Sequence, residues 1–213
     1  MNKRTKDLLV AIVAVGAAAI ALYFGFGGGS EKINLDTYEV LGAVTAEETA
    51  KLLGNKGQVL VLARGSGANK NPSVEAELEA FKKSLKKSSG LSMVAEKLEL
   101  TPMQMMATGG GVPPDQLFKA LASHPNLGAV VLFFGFPSLA DSDVEALKKT
   151  GVKIVVVSAF HSGYKQLLER QAIHLAIVPR PDAAPGVQPA RTVRERFDQE
   201  FLVVTASNVS RLP

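Results

Sequence analysis

The sequence predicts an α/β protein: an open, mostly parallel, doubly wound sheet preceded by one transmembrane helix. Three observations carry this. Residues 58–63 (QVLVLA), 129–134 (AVVLFF) and 152–157 (VKIVVV) are short, almost wholly apolar runs of β-formers, the mark of strands buried on both faces. Segments with apolar residues at helical spacing alternate with these runs, which is the order of βαβ units. Residues 8–26 (LLVAIVAVGAAAIALYFGF) are nineteen positions without a charge, long enough at ~1.5 Å per residue to cross most of a ~30 Å hydrocarbon core.

The flanks of that apolar run set its orientation. Lys3, Arg4 and Lys6 precede it against Asp7 alone. The positive-inside bias then places residues 1–7 in the cytoplasm and sends everything beyond the run to the other side. The expected layout is a cytoplasmic N-terminus (1–7), a transmembrane signal anchor in the bacterial inner membrane (8–27), a linker (28–44) and an extracytoplasmic α/β domain in the periplasm (45–213). A secretory signal has an apolar core of ~7–15 residues and a small-x-small cleavage site. This run is longer and no Ala-x-Ala follows it, so an uncleaved anchor is favoured over a cleaved signal. Ala17, Ala21 and Gly25 lie four apart, the spacing that lets two membrane helices approach closely. The plainer reading of that stripe is an alanine-rich anchor with no partner.

Composition narrows the function classes. The net charge is +4, and without the first thirty residues 21 basic groups face 19 acidic ones. A near-neutral domain is not a nucleic-acid binder. The chain has no cysteine, which excludes a lipoprotein anchor, a disulfide framework, a thiolate metal site and a catalytic thiol. The domain must hold together by its core.

The elements follow in order. Thr45 and Glu48 have the spacing of a capping box, and the helix they open ends near Gly54 or Gly57. The strand 58–63 comes next. Asn71-Pro72 opens a helix whose Val74, Leu78, Phe81 and Leu85 form a core stripe, with Glu79 and Lys83 paired on the other side. Residues 92–100 alternate as a strand, and 114–123 form a helix with Leu117, Phe118 and Leu121 inward. After the strand 129–134, Ser142 and Glu145 make a second capping box, and that helix stops at Gly151. The strand 152–157 precedes a helix over 164–171 and a strand over 173–178. Four prolines mark 179–189 as a surface loop before a last helix (192–200) and a last strand (201–205). Open parallel sheets bind ligands outside the carboxyl ends of their strands, here the loops 64–71, 102–113, 135–141 and 158–163.

Residues 45–158 resemble one lobe of the type I periplasmic sugar-binding proteins, most of all the second lobe. The likeness rests on order and phrasing. A helix ending LLGNKGQVLVL (52–62) runs into a Gly-rich loop, RGSGANKNPS (64–73). EAELEAFKKSLKKSSGLSMVAEKLEL (75–100) then carries a helix into a strand. LFKALASHPNLGAVVLFFGFPSLADSDVEALKKTGVKIVVVS (117–158) carries helix, strand, loop, helix and strand. The resemblance implies a periplasmic-binding-protein-like lobe that takes a small polar ligand such as a sugar. Two departures stand against a working receptor. Residues for a single lobe are expected, and Asn71, Ser73 and Glu75 occupy the region where that family places a sugar-binding arginine.

The candidate ligand-binding residues, all in the carboxyl-end loops, are Arg64, Ser66, Asn71, Phe136 and His161. Arg64-Gly-Ser-Gly67 precedes a helix, so its amides suit an anion, but it lacks the P-loop ending and the G-x-G-x-x-G spacing. As a tight strand-to-helix turn it needs no ligand. His161 lies beside Ser158 and Ser162, neither of which sits in a G-x-S-x-G elbow. No cluster has metal-ligand spacing, and no cofactor is expected. The leading expectation is therefore a non-catalytic, membrane-anchored accessory or interaction subunit, with other membrane subunits and the bilayer as partners. The alternative is a tethered solute-binding or sensor lobe for a small polar ligand.

Overall fold

The computed structural model describes residues 34–65, 71–108, 111–159, 163–181 and 190–212. The expected anchor, its stripe Ala17, Ala21 and Gly25, and the candidates Ser66 and His161 lie outside them. Among the described residues no helix is long and apolar enough to cross a membrane.

In chain order the elements are α1 (Asp36–Leu52), β1 (Gly57–Arg64), α2 (Pro72–Leu85), β2 (Leu91–Leu98), α3 (Pro102–Ala107), α4 (Pro114–Ser123) and β3 (Leu127–Leu132). They continue as α5 (Asp141–Lys149), β4 (Lys153–Val157), α6 (Tyr164–Glu169), β5 (Leu175–Pro179), α7 (Val193–Glu200), β6 (Phe201–Val204) and a closing 3₁₀ turn (Ala206–Arg211). The described strands form one sheet in the order β2-β1-β3-β4-β5-β6. The first five are parallel, and β6 runs antiparallel to β5.

The apolar strands explain the layering. Strand side chains alternate between faces, so a strand buried on both sides must be apolar at every position. On β1, Val59, Val61 and Ala63 pack under α1, α2 and α7, together with Val131 of β3 and Val155 of β4. Leu60 and Leu62 point the other way, with Val130, Leu132, Ile154 and Val156, onto α4, α5 and α6. The edge strand β2 alternates exposed and half-buried positions, and carries Glu96 and Lys97 at an edge open to water.

Helix starts correct the sequence reading in two places. α1 begins at Asp36, inside the expected linker, because Val40, Leu41 and Val44 already form its buried face. Thr45 is consequently mid-helix, and its hydroxyl donates to the Leu41 carbonyl at 2.7 Å instead of capping. α5 starts at Asp141 with Ala140 as its uncapped N-cap, so Ser142 lies inside the helix. Elsewhere the turn chemistry is as read. Asn71 Oδ1 accepts from the Ser73 amide at 3.0 Å, and Gly151 takes φ +70° just past the end of α5. Glu79 approaches Lys82, not Lys83, at 3.8 Å. The segment read as loop after β2 contains α3, opened by a Thr101–Gln104 capping box.

Candidate functional site

Strand order reverses between β1 and β3: the chain passes outward from β1 to β2, then crosses back to β3 on the other side. A crevice opens at such a reversal because the connections leave in opposite directions. The backbone continues the sheet past β3 at this point. The Phe133 amide donates to the Leu62 carbonyl and the Gly135 amide to the Val157 carbonyl, both at 3.1 Å. Gly135 sits at φ +92°, a conformation that side chains with a Cβ rarely adopt, and so the chain bends there over the strand ends.

A cleft of about 610 Å³ lies above this reversal. Its lining is rich in aromatic side chains: Tyr38 from α1, Phe134 and Phe136 after β3, Tyr164 from α6 and Phe201 from β6. Arg64, the last residue of β1, holds its guanidinium 5.9 Å from the centre of the Phe134 ring. Polar groups come from the starts of helices: Thr37 of α1, and Asn71, Ser73 and Glu77 at and after the N-cap of α2, with Thr108 and Ser158 opposite. Rings for stacking beside a few fixed polar groups are the usual make-up of a small-ligand site.

Glu77 is the unusual member. It is 6% exposed, and burial pushes its carboxyl up to about 8. At neutral pH it is therefore mostly the neutral acid. Its place is fixed by a close helix crossing. A Cβ at Gly42 of α1 would fall 2.1 Å from the Glu77 carbonyl oxygen, so only glycine lets the two backbones meet there.

Three of the five expected ligand-binding residues, Arg64, Asn71 and Phe136, line this one cleft. The sequence reading passed over Tyr38, Glu77, Tyr164 and Phe201. Glu77 carried a readable signal, because it falls inside the stripe of Val74, Leu78 and Phe81 where a solvated carboxylate has no reason to be. Phe201 carried none, since only the antiparallel return of β6 brings it to the strand ends. The two described histidines are elsewhere. His124 Nε2 lies 2.5 Å from Glu96 Oε1 beside the edge strand. His174 Nδ1 accepts from the Ile154 amide at 3.2 Å, and burial, with help from Lys153, lowers its pKa to about 4. Among the described residues no group of three His, Asp or Glu side chains is placed to hold a metal ion.

The same architecture occurs in solved structures. AraP, an arabinose-binding protein from Geobacillus stearothermophilus, matches with a TM-score of 0.57 at 17% identity, over 83% of this chain and 63% of its own. An ABC transporter solute-binding protein from Agrobacterium vitis, bound with α-D-tagatopyranose, matches with a TM-score of 0.54 at 21% identity, over 81% of this chain and 58% of its own. The fold is periplasmic-binding-protein-like. A sugar-binding protein of a Bacillus halodurans ABC transporter matches with a TM-score of 0.55 at 14% identity, over 83% and 64%. This lobe thus spans about three fifths of the length of the proteins it resembles. No family model and no curated protein matches the chain.

Proposed function

We propose that the chain is a solute-binding lobe that holds a small polar ligand such as a sugar in the cleft above the β1–β3 reversal. The observation that carries this reading is the cleft itself, with Arg64 and Asn71 beside the Phe134 and Phe136 rings at the edge where open α/β sheets take ligands. The structural neighbours support it, since two of them are described as binding arabinose and tagatopyranose. We further propose that residues 8–27 anchor the lobe in the bacterial inner membrane with the cleft on the periplasmic side, and that Ala17, Ala21 and Gly25 face a neighbouring helix. Thermal shift of the full chain in mild detergent against common pentoses and hexoses tests the binding. A saturable, concentration-dependent rise in Tm for one sugar is expected, and no shift by any of them contradicts it.

The accessory-subunit reading has one observation in its favour. The described residues of α3 are not buried, and Met103 and Met106 stand 80% and 85% exposed on it, next to Thr108 of the cleft wall. Flexible methionines on a surface suit a protein contact. Under that reading a membrane protein co-purifies stoichiometrically, and loses that association in Met103→Ser/Met106→Ser while sugar responses stay null.

A further inference from the structure

Glu77 is the only buried acidic residue among the described residues, at 6% exposure. Buried carboxyls are ordinarily paired or hydrogen-bonded, because an isolated one is costly to leave so. Thr45 and Thr49, the buried hydroxyls of the adjoining helix, satisfy this rule through the Leu41 and Thr45 carbonyls, each at 2.7 Å. The Glu77 carboxyl makes no hydrogen bond or ion pair with a described residue, and its oxygens are not sealed from the cleft that it lines. The surrounding charges are otherwise engaged. On α2, Glu75 pairs with Lys97. Asp36 of α1 pairs with Arg196 of α7 at 3.0 Å, and Arg196 also reaches Glu200 at 3.6 Å. Arg64, Tyr38 and Tyr164 line the same cleft, yet burial alone accounts for the displaced titration of Glu77, with no contribution from a neighbouring charge.

The cleft that Glu77 lines has apolar members in Leu41, Val74, Phe133 and Phe201, beside polar ones in Thr37, Arg64, Asn71 and Ser73. A neutral polyol meets the carboxyl with a neutral hydrogen bond. An ammonium forms the stronger, charge-assisted pair with it, and aromatic faces in the same cleft suit a cation. The hydroxyl-bearing side of a ligand then faces Asn71, Thr108 and Ser158.

We propose that the solute carries a protonated amine and that Glu77 is the carboxylate that receives it. This rests on the solute-binding reading and names its ligand class: amino sugars and related amino polyols, in preference to the neutral sugars. The proton balance follows. In the empty cleft at pH 6.5 Glu77 holds its proton. When the ammonium enters, the carboxyl ionises, the proton leaves for solvent, and a carboxylate–ammonium pair remains. Binding therefore releases close to one proton.

The test is calorimetry of the full chain at pH 6.5, in two buffers of different ionisation enthalpy, with glucosamine against glucose and galactosamine against galactose. At least one amine is expected to bind more tightly than its neutral partner, by up to about tenfold, the margin of a charge-assisted over a neutral hydrogen bond less the cost of ionising Glu77 at this pH. Its apparent enthalpy shifts between buffers by the release of one proton. In Glu77→Gln, which keeps the shape and removes the titration, the amine preference and the proton release are both expected to vanish. If that variant does not fold, the wild-type buffer dependence decides alone. Neutral sugars binding as tightly as their amines, or amine binding without proton release, overturns the proposal and leaves the solute-binding reading standing. No binding by any of the four overturns both.

Discussion

At the residue scale, Glu77 is the group whose state sets the chemistry of the cleft. Its carboxyl stays protonated to about pH 8 in the folded chain, against 4.5 for the unperturbed group. Between these values the folded state binds the extra proton, so stability falls as pH rises from about 4.5 to about 8 and is level beyond. Glu77→Gln carries no such proton. It is expected to gain on the wild type across that window, by a few kcal/mol, as read by urea denaturation at pH 5 and pH 8.5. An advantage that does not grow with pH would show that the carboxyl is solvated. His174 has the opposite sense: its lowered folded-state pKa makes stability fall as pH drops from about 6.5 toward 4. Neither group was read as buried from the sequence, although Glu77 sits at the spacing of the core stripe. A single polar residue on an apolar helix face has two explanations, an inward ligand group or a rim position, and only the position of α1 against α2 decides between them.

At the scale of elements, the close crossing of α1 and α2 is set by one missing side chain. Gly42→Ala would place a Cβ 2.1 Å from the Glu77 carbonyl oxygen, which helix backbones cannot absorb without moving apart. The expected cost is about 1–3 kcal/mol, larger than alanine's gain in helix propensity, and thermal unfolding measures it. Val131→Asp puts a charge at the centre of β3, between β1 and β4, where the side chain is 0% exposed. That charge costs several kcal/mol, a large part of a domain's total stability, and the variant is expected to show no cooperative transition. A stable Val131→Asp protein would contradict the sheet order. The central strands were legible because burial on both faces demands unbroken apolar runs, and 58–63, 129–134 and 152–157 show them. α3 was not, because a short helix without a described buried residue has no apolar period to announce it. The start of α1 was missed because a capping-box pattern at Thr45 outweighed the earlier apolar spacing of Val40, Leu41 and Val44.

At the scale of the whole molecule, the proposals are a tether and a receptor-like lobe. The tether is tested by the mass of protein extracted from membranes: the intact N-terminus is expected, and a chain beginning near Ser30 would mean a cleaved signal. The place of the cleft was legible, since the carboxyl-end loops could be named from the alternation of strands and helices alone. Its aromatic lining was not, because Tyr38, Tyr164 and Phe201 come from three elements far apart in sequence that only the closed fold brings together. The central claim is that this cleft binds a small solute, and the most direct measurement is calorimetric titration of sugars and amino sugars into the wild type and into Tyr38→Ala. Tyr38 is half-buried, so the substitution removes one aromatic side chain of the cleft, and alanine's helix propensity offsets part of the lost packing. Saturable one-to-one binding is expected in the wild type, and about tenfold weaker binding in a Tyr38→Ala protein that still unfolds cooperatively. Binding that Tyr38→Ala leaves unaltered, or no heat of binding for any solute, would contradict that claim.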